Sequence, residues 1–390
     1  MRVLIYTHAF APRVGGVETF VMLLAQGLSQ QADMTVTVAT PTPADGFDDR
    51  SLGFRVVRQP SLATLWRLLG EADIVQLAGP VFLPLALALL RRKVTIVEHH
   101  GYQACCPNGL LFYEPMKTCC PGHFQARHYG MCLHCNAAAG WLTSARMLLL
   151  TFPRRWLCKR VTRNVPISHH VLVRLALPRS QVIYYGIPKP AEREVEVNDT
   201  RGVNGSPVIG YVGRLVQEKG IPVLVEAARQ LAARGCEFRL CLVGDGPERA
   251  SLEAAIEQAG LSNRAQITGF LQGPELQNAV HALDVVVLPS ILEETAGLAA
   301  IEQMMRGRVV VASAIGGLGE IVEGGGVKFP PGDAAALAAC LEGLLADPSR
   351  WREIGHRARA LALQRHQQER MVADYAELYR TCLAGSVARK

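Results

Sequence analysis

Charge is scarce in this 390-residue chain: charged residues make up 19% and aromatic residues 6%, against 49% hydrophobic residues. That balance excludes a disordered protein, because such chains lack the apolar surface that offsets ordering. Long hydrophobic runs are missing too. The longest, Val81 to Leu90, contains Pro84 and stops at Arg91, Arg92 and Lys93. It falls well short of the ~20 residues of a spanning helix, so no transmembrane segment is expected. Residues 1–8 hold too few consecutive apolar positions for the ~7–15 of a secretory signal, and they read as a first strand. Eleven cysteines without a signal are expected as thiols or metal ligands rather than disulfides, in the cytosol. No internal repeat demands a solenoid. The net charge of +7 is a mild bias that suits nucleic acid, an acidic lipid surface or a phosphorylated substrate equally.

What is present reads as two domains, the natural outcome for this length. Short apolar runs at 2–6, 34–39, 74–77 and 94–97 alternate with helical or loop material, including a helical pattern over 17–28. Alternation of this kind argues for a parallel sheet covered by helices. From Glu192 to Pro207 the chain turns polar and rich in Asn and Gly, the signature of a linker. The second half repeats the pattern, with strands at 208–212, 238–243, 284–288 and 309–312 and helices at 221–233, 249–259 and near Gly297. Arg352 to Leu383 reads as helical. The expected layout is therefore α/β: domain 1–190, linker 191–207, domain 208–365, and a C-terminal helix 366–390 that would pack back on the first domain. Ligands of such doubly wound sheets bind at the carboxyl ends of the strands.

The densest chemistry lies in the second half. Glu294 and Glu302 stand eight positions apart, about 80° from alignment if both are helical at ~100° per residue, so both are expected to reach one concave ligand. Arg214 and Lys219 supply two positive charges suited to a diphosphate, and the amides of Ala296, Gly297 and Leu298 at a helix start add uncharged donors. A surface ion pair is the commoner fate of an isolated Arg and Lys on a loop. Gly15 and Gly16 are expected to permit positive φ and close backbone approach after the first strand, or to form an ordinary tight turn. His100 follows a strand beside its competitor His99, either as a site residue or as a satisfied core histidine. There is no Asp-x-Asp triplet of the sort that holds an octahedral divalent cation, so no metal cofactor is expected for catalysis.

Six motifs occur in order: Gly15-Gly16-Val17-Glu18, His100-Gly101, Gly213-Arg214-Leu215-Val216 through Lys219-Gly220, Val243-Gly244-Asp245-Gly246-Pro247, Pro289-Ser290 leading to Glu294 and Glu302, and Gly316-Gly317 with Glu320. Together they resemble the GT4 family of retaining glycosyltransferases across nearly the whole chain. The resemblance implies the GT-B fold, two Rossmann-like doubly wound domains facing across a cleft, the first on the acceptor side and the second binding a nucleotide sugar. It implies that Arg214 and Lys219 hold the donor diphosphate, Glu302 bonds the ribose, Glu294 contacts the transferred sugar, and His100 faces the reacting sugar. Gly15 and Gly16 would lie over donor phosphates or acceptor. The family usually has Pro and Phe after the first glutamate, whereas this chain has Thr295 and Ala296. The implied partners are a nucleoside-diphosphate sugar and a saccharide or lipid-linked acceptor, with no nucleic acid, in surface polysaccharide or glycoconjugate assembly. An epimerase or hydrolase on the same scaffold, or a non-catalytic sugar-nucleotide-binding subunit, are the alternatives.

Two segments stand outside those motifs. Between residues 105 and 135 lie six cysteines and His123, His128 and His134, and Cys132-x-x-Cys135 has zinc-knuckle spacing. Structural zinc, with Cys106, Cys120, Cys132 and Cys135 as one ligand set among several, competes with free thiols, ahead of an iron–sulfur cluster or disulfides. Arg146, Arg154, Arg155, Lys159, Arg160 and Arg163 interleave with Phe152, Trp156 and Leu157 without an acidic residue. This is either a membrane-surface helix that would hold the protein at the cytoplasmic face of an anionic membrane, or a solvated helix packed by its apolar side.

Overall fold

The computed structural model describes residues 1–191 and 205–387, with side chains to residue 385. Most of the expected linker, 191–207, lies outside the described residues. The chain divides into two units, Met1–Pro188 with His366–Lys390, and Lys189–Arg365.

In the first unit, β1 (Arg2–Thr7), β2 (Thr35–Thr40), β3 (Arg55–Arg58), β4 (Ile74–Ala78), β5 (Val94–His99) and β8 (Arg163–Pro166) form one parallel sheet in the order β3-β2-β1-β4-β5-β8. All five residues of β4 are buried, as expected of a parallel strand covered on both faces. Helix α1 (Gly16–Ser29) buries Phe20, Val21, Leu24, Ala25 and Leu28, a helical stripe with 3.6-residue period. Helix α2 (Leu62–Glu71) is capped by Ser61, whose hydroxyl accepts from the Thr64 amide. Helix α3 (Phe82–Leu90) carries Pro84 in its first turn, where no intrahelical N–H bond is lost. A hairpin of β6 (Phe112–Tyr113) and β7 (Thr118–Cys119), then α4 (Tyr129–Cys135) and α5 (Trp141–Cys158), fill the stretch before β8, and α6 (His169–Leu175) follows it.

The second unit repeats the plan with β9 (Val208–Val212), β10 (Arg239–Val243), β11 (Ala265–Gly269), β12 (Val285–Leu288), β13 (Val309–Ser313) and β14 (Val327–Phe329) in the order β11-β10-β9-β12-β13-β14, all parallel. Helices α7 (Ile221–Ala233), α8 (Arg249–Gln258), α9 (Gly273–His281), α10 (Leu298–Met305), α11 (Gly316–Val322), α12 (Ala334–Ala346) and α13 (Ser349–Arg365) surround it. Ile209, Leu224, Phe238, Leu240, Val287 and Trp351 belong to its continuous core, each large side chain contributing roughly 1.5–3 kcal/mol by burial. The doubly wound α/β class read from the sequence is thus the observed one.

Two expectations are corrected. Residues 352–383 form not one helix but α13 and α14 (Gln368–Val387), parted at His366 and Gln367. There the Ile187 amide donates to the His366 carbonyl at 2.9 Å and the Gln368 amide to the Ile187 carbonyl at 3.0 Å, so the backbone leaves the helix to bond a neighbouring strand-like segment. The edge strands β3, β8, β11 and β14 do not stand out in the sequence because they are short; β3, β8 and β14 carry charged or proline residues, as edges do, and β11 mixes Gln, Thr and Gly with its apolar positions.

Gly220, which precedes α7, adopts φ +65°, and a β-carbon there would come within 2.0 Å of the Pro289 carbonyl oxygen. Gly235 has φ +78° with open space around it. Both substitutions to Ala incur the left-handed penalty of ~1–2 kcal/mol, but only Gly220→Ala adds a backbone clash. Thermal unfolding should place Gly220→Ala several degrees below Gly235→Ala, given about 2–4 °C per kcal/mol at this size. Equal melting temperatures would remove the close-approach explanation.

Candidate functional site

The strand order of the second sheet reverses between β9 and β12, so the loops leaving their carboxyl ends diverge and leave a crevice. Those loops are 213–220 and 289–297, which carry most of the residues singled out in the sequence. Buried Tyr211 donates its hydroxyl to the Arg214 carbonyl at 2.8 Å. Burial, then the charge of Glu294, pushes that hydroxyl's pKa well up, so it stays a donor and pins the Arg214 backbone while the Arg214 side chain is exposed. Lys219 ends a 3₁₀ turn over Gln217–Lys219, and its Nζ lies 3.0 Å from Glu294 Oε2. Ser290 Oγ bonds the other carboxylate oxygen. The pair is largely shielded, with side-chain exposures of 26% and 13%, which sets it apart from the solvated pairs that contribute little.

Glu294 is not helical. α10 begins only at Leu298, with Gly297 at its N-cap and no side-chain cap, so the shared-helix geometry expected for Glu294 and Glu302 does not hold. Glu294 is instead fixed through its backbone, its carbonyl accepting the Gly317 amide at 2.5 Å. Glu302, on α10, lines a cavity of about 590 Å³ together with Val212, Gln277, His281, Arg306 and Arg308. It is open to that space, yet the surrounding protein displaces enough water to raise its carboxyl pKa, with Arg306 opposing. The residues that wall this cavity do not include Lys219 or Glu294; Val212, next to Gly213, is the link between the two places. The uncapped amides of the α10 start, including Leu298, are available as donors.

In the first unit, His99 and His100 differ sharply. His99 is fully buried, with Nε2 2.9 Å from Asn164 Oδ1, and burial lowers its pKa to about 4, a neutral core residue. His100, at the carboxyl end of β5, is 3.0 Å from Glu98 Oε2 through Nε2 and 2.7 Å from the Tyr185 hydroxyl through Nδ1. Of the two, His100 is the one near the sheet's ligand-binding edge, but both its nitrogens are engaged. The Tyr185 hydroxyl also donates to the Gly16 carbonyl at 3.1 Å, tying the loop before α1 to the same group. Gly15 has φ −179°, ordinary extended backbone, and neither Gly15 nor Gly16 has positive φ. The expectation of a left-handed turn is therefore corrected. A β-carbon on Gly15 would meet only the far end of the flexible Glu18 side chain, 2.5 Å from Oε2.

The cysteine segment folds into one buried cluster. Cys132 and Cys135 share one turn of α4 and are buried, as are Cys105, Cys106 and Cys120. Burial raises the Cys132 pKa to about 12, with added repulsion from Cys106, Cys120 and Cys135. Backbone amides of Leu111, Gly109 and Asn108 point at the Cys106 sulfur, which itself donates to Asn108 Oδ1 at 2.9 Å. Cys135 donates to the Phe112 carbonyl at 3.4 Å. Among the described residues no group of three or more His, Cys, Asp or Glu is set to hold a metal ion. The four thiols are neighbours, then, without converging on one point.

Sequence reasoning missed Tyr211, Tyr185, Glu98, Arg306 and the role of Ser290. Ser290 sits within a recognisable motif and was legible in principle; the tyrosines act through folding partners far away in sequence and left no local signal.

Residues 192–361 match the family model for glycosyl transferases group 1. The chain is 35% identical over 244 residues to a 2-deoxystreptamine glucosyltransferase of Streptomyces kanamyceticus, covering 57% of this chain and 62% of that protein, a little under two thirds of that relative's length. It is 29% identical over 369 residues to a 2-deoxystreptamine N-acetyl-D-glucosaminyltransferase of Streptomyces fradiae, covering 87% and 85%. Among solved structures, Anabaena HepE in complex with UDP is similar with a TM-score of 0.73 at 21% identity, covering 98% of this chain and 100% of that one. At that identity the likeness is one of fold.

The thiol environments have a measurable consequence. Cys105, Cys132 and Cys158 have pKa values raised to about 12 by burial, so their reactive thiolates are essentially absent at neutral pH. Cys119, Cys236, Cys241 and Cys340 are the partly exposed ones. Titration of the native protein with a disulfide reagent should show at most these four reacting promptly, the rest only on denaturation or as pH rises toward 12. Prompt labelling of Cys105 or Cys158, read by mass spectrometry, would contradict the burial.

Proposed function

We propose that this chain, whose residues 192–361 match the group 1 glycosyl transferases and whose two parallel-sheet units are of the GT-B kind, moves a sugar from a nucleoside diphosphate to an acceptor hydroxyl with retention at the anomeric carbon. The observation that carries this reading is the Lys219–Glu294–Ser290 cluster at the carboxyl ends of β9 and β12. Lys219 has three N–H donors, so it can keep Glu294 and still meet a diphosphate oxygen. The named relatives are transferases, which favours transfer over epimerisation, hydrolysis or binding without chemistry.

In the proposed course the bond from C1 to the departing phosphate oxygen breaks and its electron pair stays on that oxygen. Lys219, Arg214 and the amides of Ala296, Gly297 and Leu298 stabilise the developing charge. The same oxygen takes the proton of the acceptor hydroxyl, whose oxygen bonds C1 from the face just vacated. Glu294 contacts sugar hydroxyls and Glu302 bonds the ribose from its cavity wall, while His100 of the first unit, braced by Glu98 and Tyr185, keeps the role that the family resemblance implies. Fixed cations do the work of a divalent ion, so no catalytic metal is required. The setting we propose is cytoplasmic, in surface polysaccharide or glycoconjugate assembly, with a saccharide or lipid-linked acceptor. The eleven free thiols suit a reducing compartment.

A structural zinc on Cys106, Cys120, Cys132 and Cys135 is proposed alongside. It is supported by the amides aimed at the Cys106 sulfur, which favour its thiolate, and by the closeness of Cys106, Cys120 and Cys135 to Cys132. Binding must draw the four sulfurs inward and release the present hydrogen bonds of Cys106 and Cys135.

Kinetics test the first proposal. Arg214→Ala and Lys219→Ala should each lower transfer at least tenfold, since a charge-assisted contact to developing charge is worth ~2–4 kcal/mol. Glu302→Ala should weaken nucleotide binding, whereas Glu294→Gln should chiefly lower kcat. Wild-type turnover in the Arg214 or Lys219 variant, or unchanged nucleotide affinity in Glu302→Ala, rejects the corresponding role. Elemental analysis tests the second: protein prepared without chelators should hold close to one zinc, and brief EDTA treatment should leave turnover nearly intact. Absence of zinc leaves the thiols free.

A further inference from the structure

Helix α5 of the first unit turns an apolar arc to solvent. Trp141 is 75% exposed, Leu149 66% and Trp156 53%, with Leu142 and Phe152 also exposed. At ~100° per residue these five positions fall within about 100° of one another, while Ser144, Thr151 and Cys158 on the far side are buried. Helix α3 packs beside α5 and adds exposed Leu83 and Leu90. Single exposed apolar residues are ordinary, but an aligned row on one face is a contact surface.

Cations border this row. Arg146, Lys159 and Arg160 are exposed, and the Arg160 guanidinium lies 3.4 Å from the centroid of the Trp156 ring. The other cations of the basic run serve the fold: Arg155 donates to the Leu175 carbonyl at 2.9 Å, Arg163 donates to the Thr162 carbonyl at 3.4 Å, and Arg154 is half-buried. From Pro115 to Ala191 the chain has eleven Lys and Arg and no Asp or Glu. A second copy of this face would meet like charge with like. A phosphate-bearing surface with an apolar layer beneath supplies both complements, and no described helix is long and apolar enough to cross it.

We propose that this face docks on an anionic lipid bilayer, with Trp141, Leu149 and Trp156 entering the headgroup boundary and Arg146, Lys159 and Arg160 meeting lipid phosphates. The proposal deepens the transfer reading and rests on it in one respect, that the acceptor is then lipid-linked.

Vesicle co-sedimentation of the full chain tests it without donor or acceptor. Binding to phosphatidylglycerol-containing vesicles should exceed binding to pure phosphatidylcholine by at least ~10-fold and fall steeply at high salt. The pairs Leu149→Gln with Trp156→Gln, and Lys159→Glu with Arg160→Glu, should each lower binding at least ~10-fold while circular dichroism and nucleoside-diphosphate binding stay at wild-type level. Equal sedimentation with both vesicle types, none with either, or variants that bind like wild type overturn the proposal. So does a dimer in analytical ultracentrifugation that the Leu149 and Trp156 changes dissolve, which assigns the face to a second copy. Vesicle binding without nucleotide binding removes the transfer reading and leaves the docking face standing.

Discussion

The close backbone approach of the loops beyond the second sheet is the constraint on which the candidate donor site depends. A parallel sheet buried on both faces offers only its carboxyl edge to a ligand, so the loops there must hold their shape without burying much side chain. They do so by contact of backbone with backbone. Gly220 lies under the Pro289 carbonyl, and a β-carbon on Gly244 would come 1.9 Å from the Gly213 carbonyl oxygen. The Ile291 amide reaches the Glu218 carbonyl at 3.1 Å and the Leu215 amide the Asp245 carbonyl at 2.9 Å. Three separate connections are laced together in this way, and Lys219 and Glu294 meet because their backbones do.

In the proposed donor site, that pairing stores a cation for the incoming anion. A half-buried ammonium with no counter-charge is costly, and Glu294 supplies the charge while Ser290 satisfies the second carboxylate oxygen. A nucleoside diphosphate carries more negative charge than one carboxylate and can share Lys219 rather than wait for water to leave it. Fixed cations of this kind are already oriented when charge develops on the leaving group, the condition under which electrostatic stabilisation is largest.

How much of this was legible in the sequence depends on the range of the interaction. The alternation of strand and helix, the two sheets, and the proximity of Lys219 to the Glu294 segment followed from local periodicity and from glycine and charge spacing. The positive φ assigned to Gly15 did not follow, because a glycine after a strand can equally continue in extended backbone, here with φ −179°. The helical geometry assigned to Glu294 failed because Gly297 caps α10 three residues later, and a spacing of eight says nothing of where a helix begins. Tyr185 and Tyr375 lie far from His100 in sequence, so no window could have joined them.

Those tyrosines show why the last helix matters to the floor of the first unit. Glu98 is fully buried; its carboxylate takes the Tyr375 hydroxyl of α14 at 2.9 Å and lies 3.0 Å from His100, while Tyr379 bonds Gln76 on the adjacent strand. Burial raises the Glu98 pKa, and His100 and Tyr375 oppose that rise. A carboxyl whose folded pKa is raised favours folding at low pH and loses that contribution as pH climbs through the ordinary carboxylate range to its folded value. The contacts from His100 and Tyr375 therefore lower the cost of ionising Glu98 without cancelling the effect of its burial. The chain's final helix thus holds the carboxyl that holds His100, and through Tyr185 the loop at Gly16, so the carboxyl end of this sheet is organised by residues nearly the whole chain apart.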